Sequence, residues 1–257
     1  MLKAIEPIWY TKTETASRVR GRIESVLDFA KTRGYRTGEN PAAWEGNLVH
    51  ALPARGTIAK VDHHAALAFT EVPNFMDQIA AREGSAARAL EFTILNAART
   101  GEVIGARWSE VDLGAKLWTI PADRMKARKE HRVPLSGRAL EILKALPREA
   151  DFVFPGGRKG SAISNMAMAQ VLKRMNRLNI TVHGFRSTFR DWAAERTNYP
   201  NHVVEMALAH VIGDKVEAAY RRGDLFEKRR KLMEAWTAYC MTPQRDATVT
   251  PIRARGV

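Results

Sequence analysis

Between Val72 and Ala98 the chain carries apolar residues on more than one side of any helix it could form: Phe75, Met76 and Ile79, then Ala86, Leu90, Phe92, Ile94 and Leu95. The spacing predicts two helices broken near Gly84-Ser85, the second largely buried. A buried helix needs other elements packed around it, so the rest of the chain has to supply them. Thr13 to Arg33 reads as an amphipathic helix, with Val19, Ile23, Val26, Leu27 and Ala30 at intervals of three and four, cations opposite, and Gly34 as a stop. Further helices are expected over Gly137–Leu146, from a Ser164 cap to about Leu178, from about His183 towards Asn198, and over Leu225–Tyr239 with Phe226, Leu232, Met233, Trp236 and Tyr239 as its stripe. Leu117–Pro121 and His131–Leu135 read as short β segments around a cation-rich connection, and Asp151–Pro155 as a brief buried extended piece. The expected fold class is mainly α with a small antiparallel β-sheet.

Composition narrows the partners. The 257 residues hold 41 Lys plus Arg against 28 Asp plus Glu, a net charge of +13, which steers a protein towards a polyanion, and nucleic acid is the leading one. No strongly apolar Lys-rich helix suggests a membrane surface, and no apolar run is long enough to span a bilayer. The single cysteine, Cys240, cannot form an internal disulfide, and no secretory signal pattern opens the chain. A reducing, cytoplasmic setting is expected.

Thr181-Val182-His183-Gly184-Phe185-Arg186 places His183 and Arg186 at i,i+3 spacing where a helix begins. Free backbone N–H groups, an imidazole and a guanidinium there suit a phosphate. The plainer reading is a capped helix with a surface ion pair. Similar pairs of readings attach to Arg99, which could simply pair with Glu102 at a helix end, to His210, which could face a helix dipole, and to Tyr220, which could be a surface residue among arginines. A zinc site is disfavoured, because no cysteine pair or His-x-x-x-His array accompanies the histidines, and His63-His64 are adjacent.

Taken in order, Arg99, Lys126, His183-x-x-Arg186, His210 and Tyr220, the last ten residues after His210, resemble the tyrosine recombinases, specifically the catalytic domain of phage and genomic-island integrases. The resemblance runs from about His63 to about Tyr239. It implies the breaking-and-rejoining catalytic fold over residues 61–240, preceded in 1–60 by the last helix or two of a core-binding clamp plus linker, and followed by a basic disordered tail from 241 to 257. The family's clamp is longer than this, so the chain reads as part of, or a shortened relative of, a full integrase.

The resemblance also assigns roles. Tyr220 would attack a scissile phosphate to give a 3′-phosphotyrosyl link, Arg99, Arg186 and His210 would bind the nonbridging oxygens, Lys126 would protonate the departing 5′ oxygen, and His183 would assist proton transfer. Lys129 is the competing lysine. Glu102 would orient the arginines. Candidate DNA contacts are Arg124, Arg128, Lys129 and Arg132 around the presumed hairpin, and Lys173, Arg174 and Arg177 on the helix after Ser164. The implied partners are double-stranded DNA with attachment-type sites and further copies of the chain, in a bacterial or phage-encoded, nucleoid-associated setting. Neither metal nor nucleotide cofactor is needed, since the phosphoester energy is kept in the covalent link. Two other readings predict different behaviour: a recombination-defective remnant would bind DNA without covalent capture, and a related topoisomerase would relax supercoils without a specific site.

Overall fold

The computed structural model describes residues 1–58, 65–210 and 223–242, and the chain divides into Met1–His63 and His64–Val257. The first unit contains α1 (Leu2–Trp9), α2 (Thr13–Thr32) and α3 (Arg55–Ile58). Ile5, Trp9, Ala16, Leu48 and Leu52 form its small core. Trp9 stacks on Trp44, and its indole N–H donates to the Pro53 carbonyl at 3.0 Å. The helix expected from Thr13 forms, but its apolar stripe is not core: only Thr13 and Ala16 are buried, and Val26 is 66% exposed. The reason is length. At about 1.5 Å of rise per residue, the 8 residues of α1 cover less than half of the 20 in α2.

The second unit runs α4 (Val72–Ala80), α5 (Ser85–Leu95), α6 (Thr100–Ile104), β1 (Val111–Asp112), β2 (Leu117–Ile120), β3 (His131–Pro134), α7 (Gly137–Ala145), α8 (Ala167–Arg174), α9 (Gly184–Arg196), α10 (Asn201–Ala207) and α11 (Phe226–Cys240). Gly84, at φ 96°, makes the break between α4 and α5 that a side chain would resist. From Ala89 to Leu95 every residue of α5 is buried, and the helix packs against α4, α6, α7, α8 and α11. Its one buried acid, Glu91, is neutralised by Arg88 and by Arg138, whose Nε donates to it at 2.7 Å.

The sheet is antiparallel in the order β1-β2-β3, with Val111 opposite Trp118 and Ile120 opposite His131. Trp118 and Ile120 face the core, where Trp118 meets Phe92 at 5.5 Å between ring centres. The sequence reading missed β1, because two residues are too few to show a period-two pattern. It also overextended α8. Ser164 contributes its carbonyl and not a side-chain cap, and Asn176, left-handed at φ 57°, ends the helix well before Leu178.

The last helix packs within its own chain. Trp236 is fully buried, donates its indole N–H to the Ile94 carbonyl at 2.9 Å, and lies among Phe189, Trp192 and Tyr239. The expected tail beyond residue 242 lies outside the described residues. Among those residues no helix is long and apolar enough to cross a membrane.

Residues 65–67 strap the start of α9 in place. The Ala65 carbonyl accepts the Thr181 N–H at 2.9 Å, the Thr181 hydroxyl accepts the Gly184 N–H at 3.0 Å, and the Thr188 hydroxyl donates to the Leu67 carbonyl at 2.6 Å. The backbones approach so closely that a Cβ on Gly184 would lie 2.1 Å from the Ala65 oxygen. Gly184→Ala should therefore force strap and helix apart and cost about 1–3 kcal/mol, as overpacking does, read as a lower midpoint in urea unfolding; an unchanged midpoint would contradict the tight contact.

Candidate active site

Two helices end at the same place. At the end of α5, Ala97 takes the left-handed conformation (φ 46°), with Ala97 N–H bonded to the Ile94 carbonyl and Ala98 N–H to the Thr93 carbonyl. The end of α10 repeats this with Ala209 (φ 49°), bonding Ala209 N–H to Met206 and His210 N–H to Glu205. Glycine is the usual residue for this cap; alanine holds it at some steric cost. Both ends point outward-facing carbonyls, and the negative ends of their dipoles, at two guanidinium groups.

Arg186, one turn into α9 and only 5% exposed, donates to the Ala97 carbonyl and, at 2.6 Å, to the Leu208 carbonyl; the same nitrogen lies 3.0 Å from His210 Nε2. Arg99 caps α6, donates to the Ala209 carbonyl at 3.1 Å, and pairs with Glu102 at 2.7 Å. The other Glu102 oxygen accepts the Arg99 backbone N–H at 2.8 Å, so Glu102 is buried under the arginine that it orients. Burial first, then repulsion from Arg99, brings Arg186 down to about 10, with Glu102 and Glu205 opposing; it stays cationic at neutral pH. Both plain readings of Arg99 and His210, as helix-end partners, hold alongside the grouping: the pairings are what aim the side chains.

The loop between β2 and β3 brings the lysine. Buried Met125 anchors it, and Lys126 and Arg128 are exposed beside Arg99, Glu102 and Asp123 on an open cleft of about 440 Å³. Arg124, a candidate DNA contact by sequence, is turned inward, where it pairs with Glu110 and donates to the Glu102 carbonyl. Its guanidinium holds the loop against α6. Arg132 is half-exposed, paired with Asp224 at 3.3 Å and laid over the Phe226 ring. Lys129, Lys173 and Arg174 are exposed, and Arg177 lines a second cleft of about 330 Å³ with Lys173, Thr100 and Thr181.

His183 caps α9 with its side chain exposed, one turn before Arg186. Tyr220 lies outside the described residues. Among those that are described, Arg99, Arg186 and His210 converge, with Lys126 on the cleft beside Arg99. Such a cluster of donors suits a tetrahedral anion. Among the described residues no three His, Cys, Asp or Glu side chains converge as a metal-ligand set.

Two neighbours were missed in the sequence. Glu205, on α10, accepts from Arg190 Nε at 2.7 Å and lies 2.6 Å from His210 Nδ1. Its spacing of five before His210 was visible, but nothing local marked it from any helical surface acid. His131, at the start of β3, lies close to Arg99, Glu102 and Arg229 and bonds to the Ala207 carbonyl. A single histidine in a strand carries no such signal.

Burial, chiefly, with the nearby Arg229, lowers His131 from 6.5 to about 4. The folded protein thus refuses a proton that the unfolded chain accepts. Stability should fall as pH drops from about 6.5 towards about 4, by up to about 3 kcal/mol from this group, and His131→Gln should flatten that slope in urea titrations run across the window. An equally steep slope in the variant would place the acid sensitivity elsewhere.

The phage integrase family model matches residues 66–224, and the phage integrase central domain model matches residues 1–47. The chain is 31% identical over 250 residues to prophage integrase IntA of Escherichia coli K12, covering 92% of this chain and 57% of that protein. It is 34% identical over 230 residues to prophage integrase IntZ of the same strain, covering 87% of this chain and 55% of the relative. It thus spans little more than half the length of these relatives. In fold it is similar to a lambda integrase (75–356) dimer bound to a COC′ core site, with a TM-score of 0.59 at 16% identity, covering 86% of this chain and 78% of that one. With the family model matching well over half of its length, the chain belongs to the phage integrase family.

Proposed function

We propose that this chain carries the strand-cleaving and rejoining activity of a site-specific DNA recombinase. The observation that supports it most is the meeting of Arg99, Arg186 and His210 at the ends of α5 and α10, beside the cleft on which Lys126 stands. The Tyr220 oxygen attacks the scissile phosphorus, and the bond from phosphorus to the 5′ oxygen breaks. The product is a 3′-phosphotyrosyl link and a free 5′ hydroxyl. Arg99, Arg186 and His210 hold the nonbridging oxygens as charge moves onto them, Lys126 gives its proton to the departing 5′ oxygen, and His183 receives the tyrosine proton. The phosphoester energy stays in the new link, so the 5′ hydroxyl of a second cleaved strand can reverse the step and exchange partners.

A polyanionic duplex fits the +13 charge. Arg128, Lys129 and Arg132 from the sheet side, Lys173 and Arg174 from α8, and Arg177 just beyond its end are the cations that would track its backbone. The DNA would be an attachment-type site, bound by more than one copy of the chain, in the cytoplasm of a bacterial host.

The test is covalent capture. With a nicked duplex carrying the attachment sequence from the flanks of its own gene, the wild-type chain should leave an SDS-stable adduct. Tyr220→Phe should bind the duplex and leave none, and Arg186→Lys, which cannot reach two carbonyls and a phosphate at once, should slow capture by about 10²- to 10³-fold. An adduct with the phenylalanine variant would remove Tyr220 as nucleophile, and binding without capture by wild type would refute the recombinase reading.

A further inference from the structure

His210 reaches the arginine pair through a ring that its backbone does not fix. The cap bond to the Glu205 carbonyl holds its main chain at 3.0 Å, but the side chain is 41% exposed and free to turn about its own bonds. Two contacts on that ring oppose such turning: Arg186 at Nε2 and the Glu205 carboxylate at Nδ1, 2.6 Å away. Arg190, one turn beyond Arg186 on α9, grips the second Glu205 oxygen at 2.7 Å. The four side chains form one continuous chain, Arg186 to His210 to Glu205 to Arg190, anchored at both ends on α9.

Resting on the recombinase reading, we propose that Glu205 is a positioning residue for strand cleavage: it accepts the His210 Nδ1 proton, fixes the tautomer and angle of the ring, and so presents Nε2 to the scissile phosphate.

An ionised carboxylate can only accept, so Nδ1 must be the donor, and the nitrogen left facing Arg186 is Nε2. Burial would raise the Glu205 carboxyl, but its bonds from Arg190 and His210 bring it below its ordinary value, which keeps it in the accepting form. When a phosphate oxygen takes the place opposite Nε2, that nitrogen takes a proton from solvent, both ring nitrogens then donate, and the carboxylate behind the ring stabilises the added charge. Folding gains little from the arrangement. Arg190 is 54% exposed and His210 41%, and ion pairs in that setting contribute little to stability. Where α9 and α10 meet, the two helices bury Phe189, Val203 and Val204 without using this pair. Glu205 also sits in the last turns of α10, the end where a helix dipole disfavours a negative charge, so it needs its two partners.

The experiment combines two readings on Glu205→Gln and Glu205→Ala. Ring-nitrogen NMR of the whole chain, with the His210 signals identified by their loss in His210→Gln, should show Nδ1 protonated in wild type and a shift towards the Nε2-protonated form in Glu205→Ala. Capture of the nicked duplex should slow by about 10- to 100-fold, more for alanine than for glutamine. Duplex binding should stay within about threefold and the melting temperature within about 2 °C, as for an exposed pair. Capture within threefold of wild type, or an Nδ1-protonated His210 in Glu205→Ala, would overturn the proposal, as would a loss of capture matched by equal losses of binding and folded protein. Failure of wild type to form any adduct would instead strike at the recombinase reading, while the NMR comparison would still decide what Glu205 does to the ring.

Discussion

The structure turns on two like charges held side by side. Arg99 and Arg186 repel, and burial, with that repulsion behind it, lowers Arg186. What keeps them together is the set of carbonyls at Ala97, Leu208 and Ala209, exposed because α5 and α10 both end in a left-handed alanine at the same place. Each helix end contributes a partial negative charge as well as an acceptor. Glu102 adds a full charge beneath Arg99. The site is thereby electropositive towards solvent and compensated on its inner side, which is the arrangement a phosphate needs: donors fixed before the anion arrives, with little reorganisation left to do.

Holding two helix ends in register requires a rigid support, and α5 provides it. Because it is buried from Ala89 to Leu95 and packed by five other helices, the position of Ala97 is set by the core and not by the loop after it. Trp236 fixes α11 to the same helix through the Ile94 carbonyl. The strap at residues 65–67 fixes the start of α9, and with it the register of Arg186, against the same core. The lysine side is lighter: Met125 and Arg124 pin the loop between β2 and β3, and the cations at its tip remain exposed.

Much of this was legible in the chain. The apolar density of residues 86–95 announced a central helix, and Gly84 its start, because burial and backbone freedom are local demands written in residue type. The order Arg99, Lys126, His183, Arg186, His210 was recognisable as a set. The errors fell where a partner outside the segment decides. Val19, Val26 and their neighbours have a helical period, and α2 forms, yet periodicity cannot say whether another element is long enough to cover the stripe. Arg124 looks like any loop cation until Glu110 and the Glu102 carbonyl are found around it. β1 exists only because β2 lies beside it.

By itself the sequence determined the elements and the inventory of groups: which stretches bury, which turn, and which side chains can donate to an anion. Tertiary structure alone decided which carbonyls face Arg99 and Arg186, that His131 is half-buried and neutral beside them, and that Glu205 stands behind His210. The reason is that helix period and turn chemistry act between near neighbours along the chain. Burial of a charge, its compensation and the angle of an imidazole depend on groups as much as 110 residues apart, as Arg99 and Ala209 are, and those distances are set only when the core closes.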